Sequence, residues 1–339
     1  MVIKGEIWHG GDLAKARALF ANAPEPWIDL STGINPISYP LPPLPQSLWQ
    51  RLPGADDEAA LLAAARAAYH VPESAGIVAA PGTQILIDLL PRLEGHGPVA
   101  VLTPTYGEHT RTWLKVGRVA REIATLNEVG DAATVVIVNP NNPDGRVVSK
   151  QDLVAIAKQC DARCGALIVD EAFADFTPEP SIIPELPPAT VVLRSFGKTY
   201  GLAGLRLGFA IGDPALTEAL HAAMGPWAVA GPALRVGATA LADSSWLAQA
   251  GAARAADAAR LDALLAPHGR VVGGTALFRL LETGNAPALF AHLGRHGLYL
   301  RRFQNDVRWL RFGLPGQASE WARLEAALAG FATSGPGPA

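Results

Sequence analysis

The chain has 339 residues, of which 49% are hydrophobic and 17% charged, and its formal net charge is -3 at pH 7. This length suffices for one large domain or two moderate ones around a buried core. The small charge gives no electrostatic footprint for nucleic acid, and no Lys/Arg run or long apolar stretch suggests contact with a membrane.

The first residues, MVIKGEIWHGG, lack the long apolar segment of a signal peptide, so we expect a cytoplasmic protein. Cys160 and Cys164 are the two cysteines, with no histidine nearby, so we expect thiols and no metal site.

The N-terminal region is predicted to be an arm followed by a proline-rich connection. A short helix capped by Asp12 lies within the arm, residues 1–30. The prolines of residues 31–53 favour extended or turn geometry. Gly33 would let the backbone approach a ligand, and Asn35 is either a ligand contact or part of a rigid connector.

The central region alternates apolar runs with helical patterns through residues 75–212. This alternation predicts an α/β fold with a mainly parallel sheet covered by helices on both faces. A strong helix is predicted over residues 56–69 from its propensity and acidic start. Gly82, Thr83 and Gln84 lie where a later helix begins, and free N–H groups and the helix dipole make that position suitable for a phosphate.

Polar side chains follow several of the apolar runs. Tyr106 follows VAVL, Asn142 follows VVIV and Asp170 follows ALIV. Lys198 comes after VVL, in a loop punctuated by glycines. Since ligands in open α/β sheets bind beyond the carboxyl ends of the strands, these side chains are candidate site residues.

Lys198 is the strongest candidate for chemistry. A lysine held away from water has a lowered pKa and a more nucleophilic amine. Ser195 and Arg206 flank it with a hydroxyl and a fixed cation, a combination that suits a dianionic phosphate.

From about residue 225 the composition changes to Ala-rich helix, then short strands around 271–280 and 309–314 with helices near 286–296 and 319–331. This pattern predicts a smaller α+β domain. The predicted organisation is an arm (1–30), a large domain (31–224), a small C-terminal domain (225–332) and a disordered tail (333–339).

The series Asn142, Asp170-Glu171-Ala172, then Ser195, Lys198 and Arg206 closely resembles the core of fold-type I pyridoxal-phosphate (PLP) enzymes, the class I/II aminotransferase superfamily. The resemblance covers most of the chain and implies PLP as cofactor, bound by Lys198, with Asp170 keeping the pyridine nitrogen protonated. It also implies further cofactor contacts from Gly82, Thr83, Gln84, Tyr106, Asn142, Phe173, Ser195 and Arg206.

On the substrate side, Arg311 matches by position the arginine that binds the substrate α-carboxylate in relatives. Arg301 and Arg302 lie nearby, and with His9 they are candidates for a second anionic group, a phosphate. A solvated basic edge is the alternative explanation, preferred for Arg308.

Within the superfamily the sequence most resembles the threonine-phosphate decarboxylases of cobalamin biosynthesis, with histidinol-phosphate aminotransferases as cousins. The likeness rests on His9-Gly10-Gly11, Ile34-Asn35-Pro36, the segment from Asp170 to Phe173, and Leu193-Arg194-Ser195. Many aminotransferases have Tyr where this chain has Phe173, and a Phe cannot bond the cofactor 3′ oxygen.

The resemblance implies decarboxylation of L-threonine O-3-phosphate to (R)-1-amino-2-propanol O-2-phosphate. The alternatives are transamination of the histidinol-phosphate type, served by nearly the same residues, and a regulator that binds PLP without catalysis. A homodimer is also implied, although Leu52-Pro53-Gly54 replaces the Tyr-Pro-Asp with which relatives often reach the neighbouring subunit's cofactor phosphate.

Overall fold

The structure is a computed structural model that describes residues 9–41, 43–93 and 97–333. It divides into a larger unit, residues 38–142 and 146–248, and a smaller unit, residues 1–37, 143–145 and 249–339. The helices are α1 Leu13–Leu19, α2 Ser47–Gln50, α3 Ala55–Tyr69, α4 Thr83–Leu93, α5 Glu108–Lys115, α6 Lys150–Asp161, α7 Phe196–Thr199, α8 Pro214–Met224, α9 Gly231–Leu241, α10 Ser244–Leu265, α11 Ala286–Arg295 and α12 Ala318–Thr333. The strands are β1 Ile28–Leu30, β2 Gly76–Ala80, β3 Val99–Leu102, β4 Ala120–Ile123, β5 Thr134–Val138, β6 Leu167–Asp170, β7 Thr190–Ser195, β8 Gly208–Gly212, β9 Arg270–Thr275, β10 Phe278–Glu282, β11 Leu298–Arg302 and β12 Trp309–Gly313.

The larger unit is built on a sheet whose described strands run in the order β2-β8-β7-β6-β5-β3-β4. Neighbouring strands are parallel except for β8, which is antiparallel to both β2 and β7. The prediction of a mainly parallel sheet is confirmed.

Both faces of this sheet are covered, which is why its strands read as continuous apolar runs. Val135 and Ile137 belong to one hydrophobic cluster, whereas Val136, between them on β5, belongs to another. Because side chains alternate between the faces of a strand, the two clusters are the two helix-covered faces.

Local caps fix where helices begin. The Asp12 carboxylate accepts from the Lys15 N–H at 3.0 Å before α1, and the Ser149 hydroxyl accepts from the Asp152 N–H at 3.1 Å before α6. The cap at Asp12 was predicted from the sequence, and each of the two caps satisfies an N–H that has no partner within the helix.

The smaller unit contains a sheet in the order β1-β11-β12-β10-β9. β1 and β11 are parallel, and the other neighbours are antiparallel. Its apolar core takes side chains from this sheet and from α10, α11 and α12. The sequence reading had no strand at β1 or β11.

The boundaries of the units differ from those expected. The structure places them after Ile37 and Ala248, whereas the sequence suggested 30 and 224. β1 pairs with β11, so the segment read as an arm adds a strand to the smaller unit's sheet. α9 contacts α3, so it belongs with the larger unit. The predicted disordered tail lies, from residue 334, outside the described residues.

No helix in the described ranges combines the length and the apolar character needed to cross a membrane.

Candidate active site

The predicted cofactor residues lie at one edge of the larger unit's sheet. Asp170 ends β6 and Ser195 ends β7, while Tyr106 and Asn142 follow β3 and β5. These four strands are adjacent in the order β7-β6-β5-β3 and run parallel. Their carboxyl ends therefore meet at the same edge, where ligands bind in open α/β sheets.

Asp170 is held in place by a histidine that sequence reasoning missed. Its Oδ2 lies 2.9 Å from Nε2 of His109, and its Oδ1 accepts from the Ala172 N–H at 3.0 Å. Asp170 is 5% exposed and His109 2%. Since an ionised carboxylate only accepts, His109 donates from Nε2. The available signal was weak: His109 lies three positions after Tyr106 near the start of a helix.

The residues predicted to bind a phosphate lie close together where α4 begins. Gly82 has φ of +86°, and a Cβ there would collide with the Arg206 guanidinium. A Cβ at Gly208 would come within 2.7 Å of the Thr83 backbone nitrogen. Two glycines thus bring the N–H groups at the start of α4, an arginine and the end of β7 close together, the arrangement expected for phosphate. The donors present fit the phosphate of PLP.

Lys198 lies in the short helix α7, directly after β7. Its Nζ is 5.4 Å from the centroid of the Phe173 ring, which is buried. The Phe173 ring gives the Lys198 amine an apolar neighbour that has no hydroxyl for hydrogen bonding. The side chain of Lys198 is half-buried, which suits a nucleophilic amine.

Tyr106 is fixed from two sides. Its hydroxyl donates to Oε1 of Gln84 at 2.9 Å, and its ring meets His109 edge-on at a centroid distance of 5.9 Å. Gln84, expected to contact the cofactor, therefore braces Tyr106 and also donates from its amide to Asp88 at 3.3 Å. A ring held in this way could stack on a planar cofactor.

The asparagines after β5 divide between structural and candidate roles. Asn139 is buried, and its side chain exchanges hydrogen bonds with the backbone of Val148 at 2.8 and 3.2 Å. Asn141 accepts from the Thr105 hydroxyl at 2.7 Å and donates to the Pro104 carbonyl at 2.9 Å. Asn142 is half-buried at the end of this braced segment, and its role toward the cofactor stays a prediction.

The predicted substrate residues belong to the smaller unit. Arg311 on β12 is 6% exposed and donates from Nη2 to the Ser31 carbonyl at 2.9 Å. Burial, with the charge of Arg301 as the second cause and Asp29 opposing, lowers the pKa of Arg311 to about 9. Arg301 is its direct cross-strand partner on β11. Two like charges facing each other destabilise a sheet, so this pair is an arrangement that an anion would stabilise.

The remaining candidates have different surroundings. The Arg302 guanidinium lies 4.0 Å above the Phe290 ring, while Arg301 neighbours Arg311. Because consecutive residues of a strand point to opposite faces, Arg302 lies on the other face of the sheet from Arg301. His9 is exposed, and the glycine expected beside the ligand, Gly33, is buried.

Asn35 is buried at 1% exposure, and its orientation is set by two donors. Its Oδ1 accepts from the Ile37 N–H at 3.0 Å and from Nη1 of Arg254 at 3.1 Å. The opposite side of the Asn35 amide is therefore its NH₂ group, which donates hydrogen bonds. Sequence reasoning missed Arg254, which lies in a long Ala-rich helix far along the chain. Within the described ranges, no cluster of His, Cys, Asp or Glu could hold a metal ion.

Comparison with known proteins agrees with this geometry. The family described as aminotransferase class I and II matches residues 53–324. The threonine-phosphate decarboxylase of Pseudomonas aeruginosa is 42% identical over 328 residues, 95% of this chain and 97% of the relative. That of a Sinorhizobium species is 39% identical over 330 residues, 95% of this chain and 98% of the relative.

Among solved structures, the histidinol-phosphate aminotransferase of Sinorhizobium meliloti in complex with pyridoxal-5′-phosphate superposes with a TM-score of 0.79, covering 95% of this chain and 94% of that one. Its identity of 21% supports the fold alone. The family match over most of the chain and the two near full-length relatives lead to one conclusion: the chain belongs to the class I and II aminotransferase family of PLP-dependent enzymes.

Proposed function

We propose that this enzyme removes CO2 from L-threonine O-3-phosphate and releases (R)-1-amino-2-propanol O-2-phosphate. The observation that carries the proposal is the near full-length identity of 42% and 39% to two relatives named threonine-phosphate decarboxylase. Phe173, whose ring lies beside Lys198 and bears no hydroxyl, is in keeping with it.

The larger unit would hold PLP. Its phosphate would sit at Gly82 and Thr83, with Ser195 and Arg206 as further donors. When bound, PLP supplies an electron sink for the negative charge that develops at the substrate Cα. Asp170, fixed by His109, would keep a positive charge on the pyridine nitrogen.

Four side chains would bind the substrate. Arg311 would bind the α-carboxylate through its planar guanidinium, and Arg301 and His9 would bind the substrate phosphate. Asn35 would add an amide donor whose direction Arg254 fixes. Lys198 would hold the cofactor and deliver the proton that Cα takes up after CO2 leaves.

One incubation tests the proposal. PLP-loaded protein is mixed with L-threonine O-3-phosphate, and CO2, keto acid and the cofactor's absorbance are followed together. We expect CO2 without keto acid and a cofactor spectrum that returns to its starting form. The absence of CO2, with pyridoxamine phosphate formed from histidinol phosphate, would overturn the proposal in favour of an aminotransferase.

We also propose that the enzyme works as a cytoplasmic homodimer. Trp49, Leu52 and Trp227 are 67%, 61% and 59% exposed, and large apolar side chains at a surface favour contact with another chain. Cys160 and Cys164 are both free, which suits a reducing compartment. Light scattering should give twice the 35.5 kDa of one chain, and a Trp49→Glu, Trp227→Glu variant should give a monomer.

A further inference from the structure

A buried polar cluster lies beside the two residues assigned to cofactor chemistry, and none of the roles above uses it. At its centre is Arg194, 3% exposed. Its Nη2 lies 2.9 Å from Glu171 Oε2 and donates to the Ser181 hydroxyl at 2.9 Å, and its Nη1 lies 2.8 Å from Asp175 Oδ1. The guanidinium also stacks over the Tyr69 ring at 4.8 Å. We call Arg194, Glu171, Asp175 and Ser181 the Arg194 cluster.

Stability alone does not account for the Arg194 cluster. It places one guanidinium and two carboxyl groups where water does not reach, with Glu171 and Arg194 0% and 3% exposed. Taking charges out of water costs more than their pairing returns in many proteins, and apolar replacements are often as stable. A cluster of this kind fixes the relative positions of its side chains, because a planar guanidinium donates hydrogen bonds in few directions.

The Arg194 cluster joins the two chain segments on which cofactor chemistry depends. Glu171 directly follows Asp170, and its N–H donates to the Leu193 carbonyl on β7 at 2.9 Å. Arg194 directly follows Leu193. The side-chain contact between Arg194 and Glu171 therefore lies directly beyond the last residue pair of β6 and β7, Asp170 and Leu193.

The Arg194 cluster also reaches the lysine. Asp175 lies two residues after Phe173, whose ring contacts Lys198. Lys198 itself lies four residues after Arg194, in the short helix α7 that directly follows β7. Asp170 and Lys198 thus both lie on segments that carry residues of the Arg194 cluster: Asp170 directly precedes Glu171, and Lys198 lies in the helix that follows Arg194.

We propose that Arg194 is a positioning residue which, through Glu171 and Asp175, fixes the separation of Asp170 and Lys198. This inference rests on the proposed function only in that PLP binds at these two residues. Catalytic groups must be held to within about 0.5 Å of their working positions, and a displacement of about 1 Å costs up to about 100-fold in rate.

The test uses the full-length enzyme with Arg194→Lys and Glu171→Gln. Arg194→Lys keeps the charge but loses the fork, and Glu171→Gln keeps the shape but removes one charge. We expect the dissociation constant of PLP, measured by titrating the apoprotein, to rise about tenfold or more. We expect kcat to fall about 10- to 100-fold with little change in KM, and the pH midpoint of the bound cofactor's absorbance to shift.

Arg279→Lys is the matched control, because Arg279 pairs with Asp262 through contacts of 2.6 and 2.8 Å within the smaller unit. It should lower the melting temperature without changing PLP affinity or the absorbance midpoint. Wild-type affinity and midpoint in Arg194→Lys and Glu171→Gln, with only a lower melting temperature, would overturn the inference.

If Arg194→Lys does not fold, Glu171→Gln alone decides. Failure of the wild-type enzyme to release CO2 bears on the proposed function and leaves this comparison of cofactor binding intact.

Discussion

His109 shows how a residue outside the recognised motifs acts on the site. It is 2% exposed and donates to Asp170, so the two form a buried hydrogen-bonded pair. In His109→Ala the Asp170 carboxylate loses this donor and the orientation it imposes. We expect kcat to fall by up to about 100-fold, and the free energy of unfolding by about 1.5–3 kcal/mol. Steady-state kinetics and denaturant unfolding measure the two effects.

A variant that restores a donor is the control. His109→Gln keeps an N–H that can reach toward Asp170, and it should recover part of the lost kcat. Equal kcat in wild type and His109→Ala would show that the pair serves stability alone.

Arg301 and Arg302 give a second contrast at the scale of single residues. Arg301 faces Arg311 across β11 and β12, whereas Arg302 stacks on Phe290 from the opposite face. We expect Arg301→Ala to raise KM for L-threonine O-3-phosphate about tenfold or more, because it removes a cation next to the Arg311 site. The effect on unphosphorylated L-threonine should be smaller.

Arg302→Ala is compared in the same assay. It should mainly lower stability, since it removes a cation–π contact worth about 0.5–2 kcal/mol. A larger KM effect from Arg302→Ala than from Arg301→Ala, selective for the phosphorylated substrate, would assign the phosphate to Arg302 instead.

At the scale of secondary structure, the turn from β2 into α4 depends on one glycine. Gly82 has φ of +86°, and an added Cβ would collide with Arg206. Gly82→Ala should therefore displace the guanidinium from the start of α4 and raise the dissociation constant of PLP about tenfold or more, as measured by titration of the apoprotein.

Gly117 is the matched control. Its φ is +79°, but an added Cβ has nothing within 4 Å. Gly117→Ala should show the backbone strain alone, about 1–2 kcal/mol of stability, with unchanged PLP affinity. Similar PLP affinities in the two variants would show that the contact between the added Cβ and Arg206 does not affect cofactor binding.

The elements predicted with success are those whose signal is local. Continuous apolar runs identified β5 and β6, and Asp12 marked the start of α1. β1 was missed because it has three residues, and β11 because its five residues end in two arginines. The two strands also pair with each other, at a sequence distance that periodicity does not cover. His109 was missed for a related reason: its partner Asp170 is 61 positions away, and a histidine in a helix has no distinctive local pattern.

Recognition of the motifs put Lys198, Asp170 and the Gly82 turn after apolar strands, and all three lie at one edge of the sheet because β2, β6 and β7 run in the same direction. Their roles toward the cofactor stay predictions. The motifs did not distinguish Arg301 from Arg302, because the face that a residue occupies depends on the register of β11 against β12.

For the whole molecule, the Arg194 cluster predicts how stability depends on pH. Burial raises the pKa of Glu171 and of Asp175, with the charge of Arg194 opposing in both cases. A carboxyl with a raised pKa keeps its proton in the folded chain at pH values where the unfolded chain has lost it. Unfolding then releases a proton. The contribution of such a carboxyl to the free energy of unfolding therefore falls as pH rises from about 4 through the pKa of the folded state.

The slope is at most about 1.4 kcal/mol per pH unit for each proton released. Glu171→Gln or Asp175→Asn removes one titrating group while keeping its shape. We expect at least one of the two to flatten the dependence on pH, measured by urea unfolding between pH 4 and 8 relative to wild type. Parallel curves for wild type and both variants would mean that neither carboxyl holds a proton in the folded chain, so that Arg194 faces two carboxylates and leaves one negative charge unbalanced.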